Sequence, residues 1–335
     1  MSKKIKSMIA VLLAAVTALS FCACSQSSKG GQETSESSVG DSGDTVSSMG
    51  ADTGNTLPDF DKSIGITEHH LMDTFGVSIT ATELTYTNNS VKLGLRFENT
   101  SDSNREVYSG TAGYCVNSVN GYMIHGAYLR CEIASGETVE DEISIPYNEL
   151  HAQGISKIAD IEVGFDIEDD EYHHEYTGPI SVKTEAADNY DYSEDTYLKT
   201  IKGNMLQSAY GITIESLSEE QLYSQNGITL LSQALSADKE GKESLILEFE
   251  SKADQGLYIK LSDLNINGIS VNTSTVASDY ISPNKRGISS VDLSKYFDEN
   301  ENLSNQTIQS ISFNIEITNE DYMTVTDKKQ VSLSL

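Results

Sequence analysis

Two stretches of this chain alternate apolar and polar residues with a period of two, and a second set of such stretches follows in the same order. Val91, Leu93, Leu95 and Phe97 alternate with Lys92, Gly94, Arg96 and Glu98. Ile161, Val163, Phe165 and Ile167 do the same against Glu162, Gly164, Asp166 and Glu168. A strand turns successive side chains to opposite faces, so each run is a strand with one face in a core and one in water. The same reading places strands at 77–86, 114–119, 124–131, 139–145 and 180–183, separated by turn signals such as Asn88-Asn89, Asn99-Thr100-Ser101-Asp102 and Asn120-Gly121. About seven short strands over about 120 residues is the pattern of a β-sandwich.

The second half repeats the first. Phe75-Gly76-Val77-Ser78-Ile79 is matched to Tyr210-Gly211-Ile212-Thr213-Ile214, and Leu93 to Glu98 recurs as Leu245-Ile246-Leu247-Glu248-Phe249-Glu250. Asn120-Gly121 recurs as Asn267-Gly268, and Ile161 to Phe165 as Ile311-Ser312-Phe313-Asn314-Ile315. The expected fold is therefore all-β, two tandem antiparallel sandwiches over 60–185 and 200–335. On this matching the second copy carries an insert around 219–243 with Asn226-Gly227 inside it, read as a longer hairpin in preference to a binding loop. Short helical turns are expected at 146–151 and 293–297. Residues 186–199 read as an acidic linker whose Tyr190, Tyr192 and Tyr197 pack where the two sandwiches meet.

Ahead of the repeats, Lys3, Lys4 and Lys6 precede an apolar run from Met8 to Phe21. A bilayer-spanning helix needs about 20 residues, so this shorter run reads as a secretory signal peptide over 1–23. Its end, Leu19-Ser20-Phe21-Cys22-Ala23-Cys24-Ser25, resembles the lipobox of bacterial lipoproteins. That resemblance implies a diacylglyceryl thioether on the cysteine that follows a small residue. Cys24 follows Ala23, whereas Cys22 follows bulky Phe21, so Cys24 is the expected lipidation site. Two acyl chains give stable anchoring where one does not. The expected location is the outer face of the cytoplasmic membrane.

Residues 24–59 hold Ser, Gly, Asp, Glu and Thr with scarcely any large apolar side chain. Such a segment cannot offset the entropy of ordering, so it is predicted to be a disordered tether. A chain of this length has a typical end-to-end distance of about 30–35 Å. The sandwich pattern behind this anchor resembles the immunoglobulin-like domains common in lipoproteins of Gram-positive bacteria. That likeness implies fold and location, and brings no functional residue beyond Cys24.

The formal charge is −29. Phosphate-bearing partners would be repelled, so nucleic acid is excluded as an expected ligand, and the body of the protein is kept off an anionic membrane surface. Cys115 and Cys131 are the cysteines of the folded part; a disulfide in an oxidising exterior and two free buried thiols both remain open. All six histidines lie in or just before the first repeat, densest in Asp166 to Glu175. Asp170, His173, His174 and Glu175 are the candidates for a divalent metal, imidazole with carboxylate suiting zinc or copper and carboxylates alone calcium. Their spacing matches no established site, and a solvated acidic hairpin is the preferred reading of them. No other cofactor is expected.

Enzyme signatures are missing: there is no G-x-S-x-G elbow, no H-E-x-x-H and no phosphate loop. Cys115 and His125 lack a third group to orient the imidazole. Seventeen tyrosines could stack on sugars, although capping the sandwich cores accounts for many of them. The expected function is a lipid-anchored, non-enzymatic binding, adhesion or scaffold module for a protein or glycan ligand, contacted through a sheet edge or end loops. The alternative is a solute- or metal-capturing lipoprotein that delivers cargo to a membrane partner.

Overall fold

The computed structural model describes residues 59–110, 116–303 and 306–334. Its first half runs β1 (His69–Thr74), β2 (Val77–Tyr86), β3 (Ser90–Asn99), β4 (Arg105–Ser109), β5 (Asn117–Val119), β6 (Tyr122–Ile124), β7 (Leu129–Ile133), β8 (Thr138–Pro146), helix α1 (Tyr147–Ala152), β9 (Asp160–Asp169) and β10 (His174–Lys183). Helices α2 (Thr196–Ile201) and α3 (Met205–Tyr210) follow. The second half holds β11 (Thr213–Ser218), β12 (Ser224–Gln225), β13 (Ile228–Ala237), β14 (Glu243–Ser251), β15 (Leu257–Ile266), β16 (Ile269–Ile281), β17 (Arg286–Asp292), α4 (Ser294–Glu299), β18 (Ser310–Asn319) and β19 (Lys329–Ser334). The chain is all-β and sandwich-like, as its alternation requires.

The described residues form three sheets. One is β1-β2-β3-β8, another β16-β15-β18-β19, and between them runs an eleven-stranded sheet, β11-β13-β14-β17-β6-β5-β9-β4-β7, with β10 on β9 and β12 on β13. Its two halves meet where β17 lies parallel to β6, Arg286 opposite Tyr122. Two apolar cores sit between the sheets. Leu93, Leu95 and Phe97 enter the first, where Phe97 meets Phe165 edge-on at 6.0 Å. Leu245, Leu247, Phe249 and Phe313 enter the second. Burying a side chain of this size contributes about 1.5–3 kcal/mol, so these rows set the strand register.

The pairing shows how the halves correspond. β1-β2-β3-β8 recurs as β11-β13-β14-β17, and β7-β4-β9-β10 recurs as β16-β15-β18-β19. This corrects the first sequence match. Val77 lies opposite Asn99 and Ile228 opposite Ser251, so Phe75-Gly76-Val77 corresponds to Asn226-Gly227-Ile228. Both turns place two residues at positive φ, Phe75 and Gly76 at 47° and 77°, Asn226 and Gly227 at 48° and 79°. Tyr210-Gly211 instead ends α3, with Gly211 as its left-handed cap. The expected insert is thus the counterpart of the β1–β2 turn, and it is a hairpin.

Two other expectations change. The strand at 124–131 is broken at 125–128, where the Glu149 carboxylate accepts the backbone N–H groups of His125 at 2.6 Å and Gly126 at 2.9 Å. Its counterpart β16 runs on without a break in the strand. The segment read as a short linker carries α2 and continues into α3. Tyr197, Ile201, Leu206 and Ile212 from this segment pack with Ala234 of β13 and Ile246 of β14 in the first core. β14 is consequently buried on both faces, Leu245 and Leu247 toward one core and Ile246 toward the other. No helix among the described residues is long and apolar enough to cross a membrane.

Candidate functional site

The β9–β10 and β18–β19 hairpins turn in the same way. Asp169 Oδ1 accepts the N–H groups of Glu171 at 2.8 Å and His173 at 2.9 Å, and Asn319 Oδ1 accepts that of Met323 at 2.8 Å. At each tip the residue three past this anchor is a tyrosine in the left-handed region, Tyr172 at φ 62° and Tyr322 at φ 60°. That conformation costs an ordinary side chain roughly 1–2 kcal/mol, and asparagine, aspartate or glycine supplies most of the other positive-φ positions here. Tyr172 is 78% exposed and Tyr322 60%. Phe75 is the other aromatic at positive φ. Its ring lies under the Arg105 guanidinium at 4.5 Å and its carbonyl accepts from Arg105 Nε at 2.8 Å, so packing accounts for it.

Large exposed side chains gather at these tips. Of the six such residues among those described, Tyr172 and Tyr176 belong to the first hairpin and Tyr322 and Met323 to the second. Tyr176 stacks on His174 at 5.7 Å, and Tyr322 stacks on Tyr258 at 5.1 Å. Tyr172 also stands at the rim of a cleft of about 540 Å³ whose walls include Arg105, Glu132, Glu137, Asp169 and Asp170.

The metal candidates fall on this first hairpin without converging. His173 Nδ1 is 3.0 Å from Asp169 Oδ2, whereas His174 Nδ1 is 3.0 Å from Asp166 Oδ1 and its Nε2 is 3.8 Å from Glu168. Asp170 faces Asn104, at 3.3 Å from its N–H, and Glu175 is exposed on β10. Hydrogen bonds from the His173 and Glu171 backbones, with the His173 ring, hold the Asp169 carboxyl below the usual carboxylate range. Among the described residues no group of three or more His, Cys, Asp or Glu side chains is placed to hold an ion. Cys24 and Cys115 lie outside the described residues. Cys131 is buried in β7, and burial, with the Asp141 and Glu132 charges, pushes its thiol up to about 11. A thiol in that state is a packing group and a poor nucleophile.

A second polar cluster, which the sequence did not single out, lies where the halves join. Arg286 Nη1 is 3.0 Å from Asp195 Oδ2, 3.7 Å from Glu248 Oε1 and 3.1 Å from the Tyr122 hydroxyl. Asp195 caps α2 by accepting the Leu198 N–H at 2.7 Å. Glu248 is fully buried, and its Oε2 accepts from Ser232 Oγ at 2.9 Å. Burial first, and then the Asp195 charge, raises the Glu248 carboxyl to about 7 against the opposing Ser232 and Arg286 contributions. Lys285, just before β17, places its Nζ 2.6 Å from Glu162 of β9 beside a cleft of about 410 Å³. Period-two reading places Glu248 on the outer face of its strand; only the fold shows that α2 covers that face.

No family model matches the chain, and no curated protein matches it. Among solved structures, a chaperone–tip adhesion subunit pre-assembly complex of archaic pili from Acinetobacter baumannii aligns at 9% identity and TM-score 0.17, over 72% of this chain and 90% of that one. A protein of unknown function from Porphyromonas gingivalis aligns at 13% identity and TM-score 0.19, over 75% and 95%. A β-glucuronidase from Bacteroides uniformis aligns at 8% identity and TM-score 0.19, over 73% of this chain and 26% of its own. None of them shares enough geometry to speak for this chain.

Proposed function

We propose that this chain is a lipid-anchored, non-enzymatic binding module, tethered through Cys24 outside the cytoplasmic membrane and engaging a protein or glycan through its two equivalent hairpin tips. One observation carries the reading. Both repeats hold an exposed tyrosine in a left-handed backbone conformation at the same turn. Strain kept at a solvent-facing position, with no ring or cation stacked on Tyr172 among the described residues, points to use of the side chain itself. Tyrosine suits the task, because it offers large, rigid contact area at small entropic cost. Loop tips, in preference to sheet edges, are the contact surface on this reading.

The test pairs the tips with the anchor. Beads bearing the folded part are exposed to the envelope fraction of the source cells, with wild type compared against Tyr172→Gly/Tyr322→Gly. Glycine keeps the turn, so the double variant folds and should lose most of the retained material. Retention unchanged in the variant overturns the tip assignment and favours cargo capture in the junction cleft. Separately, Cys24→Ala should give a folded protein released from the membrane fraction. A variant that stays there, or a wild type that takes up no labelled fatty acid, overturns the anchor.

A further inference from the structure

The junction buries more carboxylate than its cations neutralise. Arg286 faces Asp195 at 3.0 Å, Glu248 at 3.7 Å and Glu250 at 4.0 Å. Lys252 relieves Glu250 at 2.8 Å, on the solvent side. Among the described residues no second cation reaches Asp195 or Glu248. Glu248 Oε1 is buried without a hydrogen-bond partner, although Oε2 is satisfied by Ser232. An ionised carboxylate left in that state is costly, and a neutral one that donates a proton to its neighbour is not.

We propose that Glu248 is a protonation latch: neutral, it shares its proton with Asp195 and holds α2 down across the junction, and on ionising it repels Asp195 and loosens α2. The geometry makes the coupling direct. Asp195 supplies the N-cap of α2, so displacing it removes the bond to the Leu198 N–H at the first turn of the helix. Tyr197, buried in that turn, donates its backbone N–H to the Tyr122 hydroxyl of the first half at 3.3 Å. A shift at Asp195 therefore reaches β6 as well as β13 and β14.

The groups facing Glu248 leave few others to titrate near neutrality. They are Ser232 from β13, Arg286 from β17, Asp195 and Tyr197 from the α2 segment and, on its own strand, Glu250; Tyr122 of β6 faces the same guanidinium. Burial raises the hydroxyls of Tyr122 and Tyr197, so both stay neutral, and the Arg286 guanidinium stays charged. An acid whose pKa is raised in the docked state binds a proton more tightly there than when released. Docking is therefore strongest in acid and weakens as pH rises through the interval between the ordinary glutamate value and neutrality, then levels off.

Amide exchange on the full chain tests this, read as protection factors for Lys199, Thr200 and Ile201. In wild type these should fall on the order of 100-fold between pH 5 and pH 8, while Glu248→Gln should show a flat profile. A flat wild-type profile, or an unchanged slope in the variant, overturns the latch. Carboxyl-carbon NMR of wild-type Glu248 is independent of any variant's folding. A midpoint near that of a free glutamate side chain would also overturn it.

Discussion

Arg96 and Glu248 occupy the same position in the two repeats, on β3 and β14, one reaching solvent and the other sealed beneath a helix. Arg96 pairs with Glu68 at 2.5 Å at the surface, whereas Glu248 has Arg286 and Ser232 behind α2. Losing the cation should therefore matter far more at the junction. Arg286→Ala should cost about 3–5 kcal/mol in urea unfolding at pH 8, because it leaves a buried carboxylate unpaired. The loss should shrink at pH 5, where Glu248 is protonated, and Arg96→Ala should leave the midpoint almost unmoved.

The repeated Asn-Gly turns do more than reverse the chain. Asn120 Nδ2 donates to the Lys157 carbonyl at 2.7 Å while Oδ1 accepts from Ala159 at 2.8 Å, and Asn267 makes the same stitch to Thr307 and Gln309 at 3.0 and 2.8 Å. Replacing either by glycine keeps the backbone conformation and removes the stitch. Each such variant should lose about 1–3 kcal/mol in chemical denaturation. A variant as stable as wild type would show that the turn alone matters.

Acid should loosen the first tip and spare the second. The Asp169 carboxyl is held low by the bonds it accepts, so its contribution is present above the ordinary aspartate value and fades as pH falls through the lowered one. Asn319 holds the equivalent turn without a charge. Amides of Glu171 and His173 should thus lose protection at low pH, and Asp169→Asn should remove that sensitivity while preserving the turn. Equal acid loss at Met323 would contradict this.

Tyr172→Gly and Tyr322→Gly should leave stability unchanged or raise it by up to about 1 kcal/mol, since relief of the left-handed strain is offset by unfolded-chain entropy. Calorimetry of the single variants checks this. A large loss at either site would make that tyrosine structural.

Thiol reagents should reach Cys131 at the rate of unfolding rather than of collision. The buried group, at about 11, is almost wholly protonated at pH 8. Labelling that matches a free thiol under native conditions would place Cys131 at the surface.

Strand alternation was legible because each inward row is a row of Leu, Ile, Val or Phe, and hydrophobic period translates directly into facing. The repeat was legible for the same reason, except at its start. Tyr210-Gly211 mimics Phe75-Gly76 in letters, but turn geometry, which pairs Phe75-Gly76 with Asn226-Gly227, depends on φ and on the opposing strand. The tip tyrosines were visible only as members of a large set, since nothing in composition marks a left-handed backbone. Glu248 was least legible: periodicity says which way a side chain points, and tertiary packing decides whether water or a helix waits there.

The contact between the halves joins two different patches, the β17 edge of one repeat to the β6 edge of the other. Such a contact does not close on itself, and by its own rule a further unit would add at β8, the matching edge of the first repeat. The surfaces beside the two edges differ. Where the second repeat offers Ala234 and Ile246 to a neighbour, the first presents Gly94 between Lys92, paired with Glu142, and Arg96, paired with Glu68. The β8 edge thus repeats the strand order of β17 but carries charged pairs where the junction is apolar.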